Sequence, residues 1–214
     1  MIITVITPTR GDRPEFLAQC RKYVANQTIK PDYHFVIDYP TISKENDISD
    51  RIKLGLSKAK SVKSDFILIF EDDDYYSPEY IETMLELWKT HSTPDLMGVC
   101  TSLYYHIGIN KYRESIHRNR ASLYQTCFSG KFILPLYIES NYFDVLLWRD
   151  SKGTKKTIQL KKHIAVGIKH GTGICGGSGH KEDFFTNGID DVDKLTLKKL
   201  TNGENFYLHT IPKK

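Results

Sequence analysis

Apolar and polar positions alternate between two rhythms in the first 90 residues. Ile2 to Ile6 is apolar enough for a buried strand, and Phe66 to Phe70 runs Phe-Ile-Leu-Ile-Phe without a break. Runs this short, bounded by polar residues, predict strands covered on both faces. Tyr33 to Ile37 predicts a strand between them. The intervening stretches carry helical spacing: Phe16, Leu17, Cys20, Tyr23 and Val24 after Pro14, then Ile48, Ile52, Leu56 and Ala59. Asp12 is the expected cap of the first helix, with Pro14 at its start. After Phe70, Ser77 is the expected cap and Pro78 the first residue of a helix whose apolar face is Ile81, Met84, Leu85 and Trp88. Strand, helix, strand, helix, strand is the order of a parallel α/β sheet.

The rhythm changes after Trp88. Leu96 to Tyr105 predicts one strand, Asn110 a turn, and Leu123 to Phe128, Asn141 to Trp148 and Phe206 to Thr210 further strands. Lys155 to Lys162 alternates weakly. The second half is therefore expected to be mixed or antiparallel sheet. At 214 residues the chain suits a single domain, with residues 1–95 and 96–214 as its two halves.

The chemistry concentrates where the central strand ends. Glu71, Asp72, Asp73 and Asp74 follow Phe70 directly. Ligands of open α/β sheets bind outside the carboxyl ends of the strands. Four adjacent carboxylates repel one another, and a cation among them relieves the repulsion. Oxygen donors suit Mg²⁺ or Mn²⁺, which could hold a phosphate-bearing substrate. A solvated acidic turn is the plainer alternative. Asp38, at the end of the second strand, is placed to accept hydrogen bonds from a base or ribose, or to serve as a turn residue.

Charge adds a second feature. The formal net charge is +4, but Ser151 to Lys181 contains no acid and seven lysines, among them Lys155, Lys156 and Lys169. Either an anionic partner or a solvated basic face fits. Residues His170 to His180 include five glycines, so backbone N–H groups could face a ligand, or the stretch is a surface loop. Glu182-Asp183 lies beside Phe184-Phe185, an arrangement that raises a carboxyl pKa toward that of a general base, or simply begins a helix. His209 is either structural or a metal ligand. Cys20, Cys100, Cys127 and Cys175 are too far apart for a zinc spacing. No apolar stretch is long enough to span a membrane, so the expected setting is cytoplasmic, the host cytoplasm if the chain is viral.

Together these pieces resemble the family-2-like glycosyltransferases of the GT-A fold. The residues that carry the resemblance are Ile6-Thr7-Pro8-Thr9, Arg13-Pro14, the acid run through Tyr75-Tyr76-Ser77-Pro78, the glycines before residue 180, Glu182-Asp183 and His209. A Glu, Glu71, stands where the family has its first Asp, and Asp38 stands alone where the family pairs acids. The resemblance implies a Rossmann-like mixed sheet flanked by helices, with a smaller antiparallel acceptor-side region. It implies Mn²⁺ or Mg²⁺ held by Asp73, Glu71 and His209. It places the nucleotide sugar, a UDP-sugar favoured, on Pro8, Thr9, Arg13, Asp38, Asp72, Gly176 and Gly177. It makes Asp183, with Glu182, the base that activates an acceptor hydroxyl, with inversion at the anomeric carbon. Arg113, Arg118, Arg120, Lys155, Lys156 and His180 are the expected acceptor or anion contacts. The acceptor is a glycan or, in phage-type members that the small basic chain also resembles, hydroxymethylated pyrimidines in DNA. A nucleotidyltransferase and a non-catalytic binding module are the competing classes. The former typically needs a glycine-rich loop after its first strand, where this chain has only Gly11.

Overall fold

The computed structural model describes residues 1–40, 47–135, 142–171 and 181–209. The chain begins with β1 (Ile3–Pro8), α1 (Pro14–Ala25), β2 (Tyr33–Ile37), α2 (Asp47–Ser61) and β3 (Phe66–Ile69). β1 pairs in parallel with both β2 and β3. The unbroken apolar runs are explained by what covers them. Ile3, Val5, Phe66 and Leu68 pack with Phe16, Cys20 and Val24 of α1, whereas Ile6, Ile67 and Ile69 pack with Ile52, Leu56 and Ala59 of α2. Successive residues of each strand thus serve opposite helical layers. Gly55 permits the close approach of α2, because a Cβ there would overlap the Ile6 side chain.

The chain continues through β4 (Tyr75–Tyr76), α3 (Tyr80–Thr90), β5 (Leu96–Val99), β6 (Thr101–His106), β7 (Lys111–Ile116), β8 (Thr126–Ser129), α4 (Phe143–Asp150), β9 (Lys155–Ile158), β10 (Ala165–Lys169), β11 (Ile189–Asp190), α5 (Leu195–Leu200) and α6 (Phe206–His209). One sheet has the order β2-β1-β3-β8-β5-β9 and the other β11-β7-β6-β10-β4. The sheets are interleaved along the chain: β5, β8 and β9, all beyond residue 95, complete the sheet that β1 to β3 begin.

Several elements differ from the sequence reading. The expected strand from Leu96 to Tyr105 breaks at Cys100, where the chain passes from one sheet to the other. Leu123 to Gln125 forms a 3₁₀ turn before β8. The stretch ending at Trp148 is helical from Phe143, with Phe143, Leu147 and Trp148 buried on one face; Asn141 lies outside the described residues. Phe206 to His209 is also helical and turns Tyr207 inward. In both cases the run is too short for period 2 to be told from period 3.6. The helix after the acids starts at Tyr80, with Glu79 before it and no side-chain cap. Ser77 and Pro78 form a turn in which the Tyr80 N–H donates to Ser77 O at 3.1 Å. The cap position of α1 is held by Arg13 rather than Asp12, and it too makes no side-chain capping hydrogen bond.

Candidate active site

The acid turn lies at the carboxyl edge of the parallel strands, as its position after β3 requires. Thr9 N–H donates to Ile37 O at 3.0 Å and Phe70 N–H to Ile6 O at 3.0 Å, so the ends of β1, β2 and β3 are aligned there. Buried Arg51 of α2 reinforces this edge. It donates to Thr9 O at 2.5 Å and Ile37 O at 3.0 Å, pairs with Asp47, and lies 4.1 Å from the Tyr39 ring centroid.

Asp72, Asp73 and Asp74 are all buried. Carboxylates removed from water need partners, and each has found them. Asp72 accepts from Thr9 Oγ1 at 2.6 Å and from Arg13 Nη2 at 2.6 Å. Asp73 accepts from Arg13 Nη1 at 2.6 Å, and its Oδ2 lies 2.8 Å from His170 Nε2. Asp74 accepts from the Ile168 backbone N–H at 2.7 Å. Arg13 therefore bridges two adjacent acids from the start of α1. Its Nη1 also lies 2.9 Å from His170 Nε2, so Asp73, Arg13 and His170 meet at one point.

The short strand β4 explains why Ile168 to His170 arrive here. Tyr75 and Tyr76 pair antiparallel with Val166 and Ala165. As the chain is traced back from Tyr75 into Asp74 and Asp73, its partner advances to Ile168, Lys169 and His170. These three residues supply in turn a backbone donor, a cation and an imidazole. Lys169 raises no contact-length ion pair among the described residues, but Asp74, Asp73 and Glu71 all act on its charge, and its ammonium lies 5.4 Å from the Tyr104 ring centroid. Phe16 of α1 packs on His170 with centroids 5.2 Å apart.

The electrostatics follow from this crowding. Burial, then the neighbouring Asp73 charge, pushes Glu71 up to about 7 and Asp72 up to about 6. Burial also holds Asp74 well above the ordinary carboxylate range. Burial acts on Asp73 in the same direction, but the Arg13 guanidinium, the hydrogen bond and charge of His170, and Lys169 together outweigh it and hold Asp73 well below that range. Asp73 is thus the fixed anion of the group. Burial and mutual repulsion keep the other three carboxyls raised even beside Arg13 and Lys169, and a divalent ion would relieve the repulsion that remains. Asp73 and His170 are the described residues whose donor atoms already converge, and carboxylate oxygen with imidazole nitrogen suits Mn²⁺ or Mg²⁺. No group of three His, Cys, Asp or Glu donors is gathered among the described residues, so the remaining ligands would be water and phosphate oxygens.

The other expected site residues are distributed as follows. Pro8 ends β1, and Asp38 is exposed beyond β2, where its carbonyl oxygen faces Gly11. Glu71 is the least buried of the four acids, and its backbone N–H donates to the Tyr76 hydroxyl at 2.7 Å. Glu182 and Asp183 are exposed on a 3₁₀ turn, Glu182–Phe185. His209 is exposed at the end of α6, and no hydrogen bond or ion pair joins it to the acids among the described residues. It lines an open groove of about 560 Å³ with Glu15, Gln19 and Lys22. Arg120 pairs with Asp144 of α4, Lys155 donates to Trp148 O at 2.9 Å, and Arg113 holds Phe184. Arg118 and Lys156 are exposed. Gly176, Gly177 and His180 lie outside the described residues.

Lys169 and His170 were not recognised as partners of the acids from sequence. A signal was present: Ala165-Val166-Gly167-Ile168 is a second short apolar run ending in polar residues, the same pattern that marks β3 and its acids. Asp144 is a further acid missed in sequence. Burial raises its pKa, with Arg120 opposing, and its charge is felt at Glu71.

No family model and no curated protein matches the sequence. Solved structures do match in fold. A197 from STIV is similar with a TM-score of 0.50 and 16% identity over 74% of this chain and 82% of that one. TarS 1-349 of S. aureus in complex with UDP-GlcNAc is similar with a TM-score of 0.51 and 12% identity over 79% of this chain and 59% of that one. A further structure of S. aureus TarS is similar with a TM-score of 0.52 and 11% identity over 96% of this chain and 44% of that one. At these identities the likeness is one of fold, and the fold is GT-A: a mixed α/β architecture of parallel and antiparallel strands flanked by helices. Among the described residues no helix is long and apolar enough to cross a membrane.

Proposed function

We propose that the protein is a glycosyltransferase that moves a sugar from a nucleoside-diphosphate sugar, a UDP-sugar by preference, to an acceptor hydroxyl. The observation that carries this reading is the convergence of Asp73, Arg13 and His170 at the carboxyl edge of a GT-A sheet. The UDP-GlcNAc bound by TarS supports the choice of donor.

Thr9, Asp38 and the β1–β2 edge pinned by Arg51 take the nucleoside. Arg13 and Lys169 supply the positive charge that a diphosphate needs. Asp73 and His170 would hold Mn²⁺ or Mg²⁺, with Glu71 nearby; when bound, that ion offsets the charge of the departing diphosphate. Asp183 takes the proton of the acceptor hydroxyl, which attacks the anomeric carbon from the opposite face, so that configuration inverts. Residues 1–95 supply most donor contacts and residues 96–214 the acceptor side. A glycan is the favoured acceptor, because Arg113, Arg120 and Lys155 are already engaged within the protein and leave fewer cations for a DNA backbone.

The test is thermal stabilisation by UDP, GDP, CDP and dTDP, each with and without Mn²⁺, in wild type and Asp73→Ala. The reading predicts a Mn²⁺-dependent shift with UDP that Asp73→Ala abolishes. No metal-dependent shift with any of the four would sink it.

A further inference from the structure

The turn carrying Glu182 and Asp183 is fastened to the second sheet by one cation. Arg113, on β7, donates from Nη1 to the Phe184 carbonyl at 2.7 Å. The same guanidinium lies 4.7 Å from the centroid of the Phe184 ring. Phe184 meets Tyr104 edge-on at 5.6 Å, and Phe185 meets His106 edge-on at 5.4 Å. Tyr104 is the ring beneath the Lys169 ammonium. A path of contacts therefore runs from Arg113 through Phe184 and Tyr104 to Lys169, on whose charge Asp74, Asp73 and Glu71 act. Beyond the turn, the Gly188 N–H donates to Phe185 O at 2.8 Å, and β11 pairs with β7 at Tyr112 and Lys111.

We propose that Arg113 is a positioning residue, which clamps the turn Glu182–Phe185 onto β6 and β7 and so holds Asp183 at the face that carries Tyr104 and Lys169. This rests on the reading of Asp183 as the proton acceptor. Asp183 is exposed, and no ion pair orients it among the described residues. Its place is set by its neighbour Phe184 and by Thr186, whose N–H and hydroxyl both donate to the Asp183 carbonyl. An arginine suits the clamp because its planar fork can donate and stack at once, whereas a lysine offers a point charge. The guanidinium is engaged inside the protein, so its effect on the reaction is exerted through the turn.

Two measurements on Arg113→Met and Arg113→Lys test this. The first is hydrogen–deuterium exchange of the amides of Phe184, Thr186 and Gly188, which close the turn. Losing a hydrogen bond and a cation–π contact predicts exchange at least about ten-fold faster in Arg113→Met, confined to this segment, with partial recovery in Arg113→Lys. The second is UDP release from UDP-GlcNAc with water as acceptor, in Arg113→Met, Asp183→Asn and the double variant. We expect Arg113→Met to lower kcat about ten-fold or more with KM for UDP-GlcNAc unchanged, and the double variant to be no slower than Asp183→Asn. Unchanged exchange in Arg113→Met overturns the clamp. Full additivity of the two losses overturns its action through Asp183. If the wild type releases no UDP, UDP-GlcNAc is not its donor, and the exchange measurement alone decides the clamp.

Discussion

Arg13→Met is the perturbation whose consequence the structure specifies most fully. The guanidinium makes two charge-assisted hydrogen bonds of 2.6 Å, one to each of two buried acids, and its side chain is only 15% exposed. Methionine keeps the length and removes the charge. Deleting one partner of a buried ion pair commonly costs about 3–5 kcal/mol, because the other charge is left uncompensated. His170 and Lys169 remain near Asp73, and Asp72 can take up a proton, so we expect the lower end, about 3 kcal/mol at pH 8. In a domain of this size that is roughly 6–12 °C in Tm.

The pH dependence has a definite sign. In the wild type Asp73 is held below its unfolded value, so its stabilisation is present above that value and fades as pH falls through the folded one. Without Arg13 this contribution shrinks, and Asp72, already raised to about 6, rises further. The difference between variant and wild type is therefore largest where the acids are ionised and narrows toward pH 5. Urea unfolding of both proteins at pH 8 and pH 5 measures it. Mn²⁺ should also restore more stability to the variant than to the wild type, since the ion replaces the missing charge. A loss below about 1 kcal/mol that is equal at both pH values would refute the view that Arg13 is the counter-ion of this acid pair.

Further expectations are separable from this one. His170→Ala should abolish the Mn²⁺-dependent stabilisation by UDP and His209→Ala should leave it, as measured by thermal shift; the opposite pattern would move the metal to α6. Burial holds His34 and His117 down at about 4. Both bind a proton more readily when unfolded, so stability should fall as pH drops from about 6.5 to 4, by up to about 2 kcal/mol for each, since both rings keep some solvent contact. Urea titrations of His34→Gln and His117→Gln should each flatten that slope.

Some of this was legible in the chain alone. Phe66 to Phe70 is apolar at every position, so both faces of that strand had to be covered, and four acids immediately beyond it had to lie at a sheet edge. The stripes of α1, α2 and α3 were plain, because three or more turns separate a 3.6-residue period from a 2-residue one. The fold class followed from these elements. Short stretches misled: Phe143 to Trp148 and Phe206 to His209 are apolar enough for strands, yet each turns one face to the core as a helix. The break at Cys100 had no local mark, because residues on both sides of it are buried.

The residues themselves determined that a dense negative charge would sit at the end of a buried strand, since composition and run length are local properties. Only the tertiary structure decided what answers that charge. Asp73 and His170 are 97 residues apart, and they meet because Tyr75-Tyr76 pairs with Ala165-Val166 rather than with any other strand. Arg13 was visible as a loop residue, but its span across Asp72 and Asp73 depends on where α1 begins relative to β3. Strand partnership is a choice among many apolar segments of similar character. It is settled by the simultaneous burial of all of them, which no single stretch of sequence contains.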